Sequence, residues 1–258
     1  VSEGRGVVPI GLPDGRVRAV IERVTPSLDG GRFPVKRILG DSVEVQADGF
    51  ADGHDVVACA LWWRRAGAAE WSETAMHAMG NDRWRASFVV DALGAWQYTV
   101  CAWVDPFLSW QHDFTRRVEA DDVRIAAQTG ATLIEEAAQR ARKKGADARL
   151  LRAWAAELAQ AVARGAGVDE LKRIGIDEAR STIAQRYPDR RHALTHPDIL
   201  GVTVERERAR FSAWYEFFPR SASDDAQRHG SFADCEAWLP YVQRMGFDVI
   251  YFPPIHPV

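Results

Sequence analysis

Residues 211–258 read FSAWYEFFPRSASDDAQRHGSFADCEAWLPYVQRMGFDVIYFPPIHPV, and the succession of patterns in them decides the fold. The aromatic run Phe211 to Phe218 suits a buried strand, and a polar loop follows from Arg220 to Gly230. Phe232, Trp238, Leu239, Val242 and Met245 then share one helical face, with Pro240 expected to bend or end that helix. Gly246 closes the stretch, and Phe247 to Phe252 is a second apolar strand. Strand, helix, strand is one βαβ unit, which implies parallel strands and a right-handed crossover. One such unit cannot enclose a core. Its 48 residues compare with about 250 in a closed (β/α)8 barrel. The chain stops just after an apolar strand and starts on Val1, so the natural polypeptide is expected to extend further.

Upstream, from Val17 to about Phe114, the pattern is that of strands. Val43, Val45 and Ala47 alternate with polar neighbours, as do Trp84, Ala86, Phe88 and Val90, and again Trp96, Tyr98, Val100, Ala102 and Val104. Val56 to Trp63 is a nearly unbroken apolar run, as in a strand covered on both faces. Turn residues at Asp29-Gly30-Gly31, Asp52-Gly53, Gly80-Asn81-Asp82 and Gly94 separate the runs. Short strands at this spacing predict a β-sandwich of the immunoglobulin-like class.

Between them, Asp121 to Tyr187 is rich in alanine, leucine, glutamate and arginine. Leu133, Ile134, Ala137, Ala138 and Ala141 form one stripe, which Gly145 is expected to stop. Leu151, Trp154, Leu158 and Val162 form a second stripe, and Leu171 and Ile174 a third, with Asp177 as an N-cap. An α-helical bundle insert is predicted. The chain is thus expected to be multi-domain: a β-sandwich over 1–118, a helical bundle over 119–200, and over 201–258 a linker strand and the first βαβ unit of a (β/α)8 barrel.

The net charge of -3 gives no basic signature for nucleic acid. No stretch is long and apolar enough to span a membrane, and residues 1–10 lack a signal core, which argues against secretion. Cys59, Cys101 and Cys235 are odd in number and lack CxxC spacing, so reduced, buried thiols are expected.

The stretch WYEFFPRS and the ending FPPIHP resemble the first two barrel strands of the maltosyltransferase branch of the α-amylase superfamily. DGGRFPVKRILGDSVEVQADGFADGHD (29–55) resembles the start of that branch's N-terminal domain, and DPFLSWQHDFTRR (105–117) the entry to its helical insert. The resemblance implies a cytoplasmic, homodimeric enzyme that contacts its partner through the sandwich and helical insert. It would transfer maltosyl from α-maltose 1-phosphate to the non-reducing end of an α-1,4-glucan, releasing phosphate, with no metal or cofactor. An aspartate nucleophile and a glutamic acid–base, carboxyls about 5–5.5 Å apart, suit the retaining route. In the superfamily both come from later barrel strands, so no catalytic residue is assigned here.

Two residues are candidates for substrate binding. His256 lies just past the second barrel strand, on the rim where barrel enzymes keep their sites. It either lines the donor pocket or is a loop histidine held by backbone hydrogen bonds. Arg220, with Ser221, follows the first barrel strand, and its guanidinium suits either phosphate or a structural ion pair. Glu216 is placed to face a barrel interior. Trp62, Trp63, Trp71, Trp103 and Trp110 are either a sugar platform or core. Asp48, Asp52 and Asp55 read as turn residues and solvated charges, His192 and His196 as incidental, and Arg140, Arg142, Lys143 and Lys144 as a solvated helix end. The alternative function is a non-catalytic α-glucan-binding or dimerisation module.

Overall fold

Alternation sends every second side chain toward a common interior, and the strands realise it. The computed structural model describes residues 15–253 and 255. Its first sheet joins β1 (Ala19–Thr25), β3 (Ser42–Ala51), β7 (Arg83–Val89) and β6 (His77–Ala78) in that order. The second runs β2 (Val35–Ile38), β10 (Leu200–Glu205), β8 (Gly94–Val104), β4 (Val57–Arg65), β5 (Ser72–Ala75), with β9 (Leu194–Thr195) also on β8. These pairings are antiparallel except β2 with β10.

The two sheets share one core. Val43, Val45 and Ala47 of β3 lie in it with Leu61 of β4 and Tyr98 and Val100 of β8, all at 0% exposure. Trp63 stacks on Phe88 with ring centroids 5.2 Å apart. The Tyr98 hydroxyl donates to the Pro26 carbonyl, which satisfies the one polar atom of a buried ring.

Asp48 corrects the sequence reading. It is no turn residue but a buried member of β3, bracketed by Arg23 and by Arg83 at 2.9 Å. A buried carboxylate needs such partners, and the neighbours that supply them come from β1 and β7. Asp52 and Asp55 do stay near the surface, where both grip Arg18, at 2.7 and 2.6 Å.

The strand pattern was expected to continue to about residue 114, but it ends at Val104. Asp105 caps helix α1 (Pro106–Arg116) by accepting from the Leu108 N–H at 3.0 Å, and Pro106 occupies the first turn, where its missing N–H costs nothing. Phe107, Trp110 and Phe114 therefore belong to the helical core. That core also takes residues from α2 (Ala120–Arg140), α3 (Gly145–Ala163), α4 (Val168–Gly175) and α5 (Glu178–Ala184). Gly145 begins α3 rather than stopping α2, which ends through a 3-10 turn at 141–143. Gly165, at φ +75°, closes α3: its N–H bonds Val162 O and the next N–H bonds Ala161 O, the Schellman arrangement. Asp177 caps α5 as expected, accepting from Arg180 N–H at 2.9 Å.

Strand β10 was grouped with residues 201–258, yet its ladder lies in the second sheet, between β2 and β8. Leu200, Val202 and Val204 alternate into the sheet core, and that burial decides its place.

Beyond it, β11 (Trp214–Glu216) and β12 (Val249–Tyr251) pair in parallel, with α6 (Phe232–Arg244) between them in sequence. The strand is shorter and wetter than the aromatic run suggests: Phe211, Trp214 and Phe218 are 80%, 59% and 63% exposed. Two short strands and one helix have too few layers to cover them. Pro240 does not end α6, which runs on to Arg244 before Gly246, at φ +85°, turns the chain. Mixed sheets and, among the described residues, six α-helices make a β-rich, multi-core chain.

Candidate functional site

Parallel strands bring their following segments to one end. The register pairs Trp214 with Val249 and Glu216 with Tyr251, so the segments after β11 and β12 emerge together. After β11 the chain makes a 3-10 turn, Pro219–Ser221, that carries Arg220. The Gly230 N–H bonds the Arg220 carbonyl at 2.8 Å, and a Cβ on Gly230 would sit 2.2 Å from the Pro219 oxygen. Only glycine allows that approach, so the polar loop folds back onto the turn. The Arg220 guanidinium is exposed and has no ion-pair partner among the described residues. His256 lies outside the described residues.

Beside this turn is a cavity of about 320 Å³ lined by Ala222, Asp224, Asp234, Ala237, Trp238 and Tyr241. The Trp238 Nε1–H donates to Ala222 O at 3.2 Å, and its ring stacks on Phe217. Asp234 is engaged elsewhere. Arg228 grips both of its oxygens at 2.7 and 2.8 Å, and Ser231 completes a capping box for α6. The Arg228 guanidinium, then the Ser231 hydroxyl and N–H, hold its carboxyl well below the usual carboxylate range. A carboxylate so stabilised is no general acid. Glu216 is exposed. Tyr215 and Phe217 pack on Phe247 and, from α6, Trp238, so Glu216 lies with Trp214 on the opposite face of the strand.

The five tryptophans part company. Trp63 is in the sheet core and Trp110 in the helical core. Trp103 is buried under Arg190, whose guanidinium lies 4.1 Å from its ring centroid. Trp62 and Trp71 remain half-buried neighbours on the second sheet's outer side, centroids 6.5 Å apart.

Glu73 accepts from Arg190 at 2.6 and 2.8 Å and from the Trp62 Nε1–H at 2.8 Å. Arg190 chiefly, against the opposing effect of burial, lowers its carboxyl pKa. This cluster was missed in the sequence, because Glu73 and Arg190 are 117 positions apart and no local pattern links them. The Asp105 joint was also missed, although Asp followed by Pro is a readable helix start. There the Val56 N–H donates to Ser109 Oγ and the Asp105 N–H to the Val56 carbonyl, tying β4 to α1.

Cys59 and Cys101 sit on adjacent strands, where Cys59 faces Ala102 and Cys101 faces Ala60. Offset by one, their side chains point to opposite faces, one into each cluster, and both are free thiols. Burial pushes Cys59 up to about 12. His196 ring Nδ1 accepts from the Asp198 N–H at 3.2 Å. Among the described residues no three His, Cys, Asp or Glu side chains gather as metal ligands, and no helix is long and apolar enough to cross a membrane.

Residues 17–206 match the family described as α-1,4-glucan:maltose-1-phosphate maltosyltransferase, domain N/S. Relatives bearing that enzyme name include one from Chlorobaculum tepidum, 44% identical over 95% of this chain and 36% of its own length. Another, from Myxococcus xanthus, is 43% identical over 92% of this chain and 36% of its own. A third, from Burkholderia pseudomallei, is 40% identical over 93% of this chain and 21% of its own. The chain spans about a third or less of the length of these curated relatives.

Proposed function

The chain belongs to the α-1,4-glucan:maltose-1-phosphate maltosyltransferase family, and from that premise we propose that it is the non-catalytic front of such an enzyme. The whole enzyme transfers maltosyl from α-maltose 1-phosphate to the non-reducing end of an α-1,4-glucan and releases phosphate, in the cytoplasm, as a homodimer that meets through the sheets and helices. On this reading the two sheets are an immunoglobulin-like β-sandwich that ends at Val104 and takes back β10, residues 106–187 are a helical bundle, and β11-α6-β12 is the first step of a (β/α)8 barrel.

The parallel β11–β12 pair carries the proposal. It follows directly on the region matched to domain N/S, and among the described residues no layer covers its Trp214–Glu216 side. Further strands would turn that side inward. Arg220 and His256 then stand on the rim at the carboxyl ends of the strands, where Arg220 would meet the donor's phosphate and His256 its sugar. Neither is a nucleophile or an acid–base, and the reacting carboxylates belong to other strands. A second reading, a glucan-binding or dimerisation module, is favoured by the half-buried Trp62–Trp71 pair.

A chimera tests the first reading: the Chlorobaculum tepidum relative with its matching third replaced by this chain. Phosphate release from α-maltose 1-phosphate in the presence of maltohexaose is expected. A chimera that folds and gives none overturns the proposal.

A further inference from the structure

We propose that the outer face of the second sheet carries a non-catalytic site for an α-1,4-glucan chain, built on Trp62 and Trp71; the choice of glucan rests on the reading above. Trp62 and Arg64 are two apart on β4, so both point to the same face. Trp71, at the end of the connection to β5, reaches back over them: the Arg64 guanidinium lies 4.1 Å from its ring centroid, and the two indoles meet at 36°.

Both rings are held in advance. Arg64 fixes the connection by donating to the Ala68 carbonyl at 2.9 Å, and the Gln97 amide oxygen accepts from Arg64 Nε at 3.1 Å. The Trp62 Nε1–H is tied to Glu73, which the Arg190 fork locks in turn. The cost is visible, for Arg190 Nε is buried with no hydrogen-bond partner among the described residues. The main sheet core lies on the other face; on this one Trp62 packs against a small cluster of Ala60, Cys101 and Trp103, and Trp71 stands outside both. Local sequence rules are broken most often where function requires it.

The chemistry selects a neutral sugar. A pyranose offers an apolar C–H face for an indole and a rim of hydroxyls for the Gln97 amide and the free edge of Glu73. The cations here are already neutralised or stacked, so a polyanion finds no cationic track. An α-1,4-linked chain curves, so that successive rings incline to one another as the two indoles do. A β-1,4-linked chain is flat and does not match them.

The test titrates the chain with maltoheptaose, followed by tryptophan fluorescence and calorimetry, with cellohexaose as the control. Saturable binding of maltoheptaose alone is expected. Trp71→Ala, which removes a ring outside both cores, should weaken it by about tenfold or more. Trp62→Phe keeps a ring and should weaken it less. Far-ultraviolet dichroism and melting temperature confirm that each variant is folded. The proposal is overturned by no binding, by equal binding of cellohexaose, by undiminished binding in folded Trp71→Ala, or by sedimentation showing that Trp71→Ala instead breaks a self-association. Binding to the chain needs no transfer reaction. An inactive chimera with intact glucan binding therefore sinks only the maltosyltransferase reading, and an active chimera whose chain binds no glucan sinks only this site.

Discussion

The sheet region and the strand–helix–strand step are both rich in aromatic residues, and they treat them in opposite ways. Phe88, Trp96 and Tyr98 are 4%, 3% and 0% exposed between two sheets, whereas Phe211, Phe218 and Phe232 are 80%, 63% and 60% exposed around β11 and α6. Aromatic content does not make a core; a second layer does. The sheets and the helices each close on themselves, with a Trp or Tyr polar atom satisfied inside: Tyr98 on Pro26, Trp154 on Ile174. Among the described residues α6 alone covers one side of the βαβ step, and the apolar side chains on its other side stay exposed.

Mutations should separate these regions cleanly. The largest effect is expected from Trp154→Ala, since the ring is 1% exposed and its Nε1–H bonds Ile174 O at 2.7 Å. A loss of about 3–5 kcal/mol in urea unfolding is expected, and a loss under 1 kcal/mol would remove the helical core from the comparison. Gly130→Ala comes next. A Cβ there would lie 2.0 Å from the Trp110 ring, which must move inside a closed core. About 1–3 kcal/mol should be lost, read from the same transition. Smallest is Phe218→Ser, in the open step, where the ring is 63% exposed. Its effect on the melting temperature of the chain should correspond to within about 0.5 kcal/mol. A large loss there would mean that the step is covered after all.

Much of this was legible in sequence. The alternating strands, the helical stripes, the Asp177 cap and the βαβ order all rest on local periodicity, which short stretches carry by themselves. The first helix was misread because Phe107, Trp110 and Phe114 sit in an apolar stretch that continues a strand pattern, and the Asp105-Pro106 start signal was passed over. Asp48 was misread because a carboxylate beside Gly49 looks like a turn; only the flanking strands reveal the arginines that allow its burial. Of the candidate site, Arg220 could be set after its strand from the pattern alone. The tryptophans could be counted but not sorted, because neighbours in space decide which face of a ring remains free.

The amino-acid order by itself determined the three kinds of region and the family, because periodicity and block order are properties of a line of residues. Tertiary structure alone decided that β10 returns to the second sheet, that Cys59 and Cys101 face opposite ways, and that Glu73 and Arg190 meet beneath Trp62. The physical reason is the same in each case: ladder register and long-range contact fix which atoms share a desolvated space, and no local pattern encodes that.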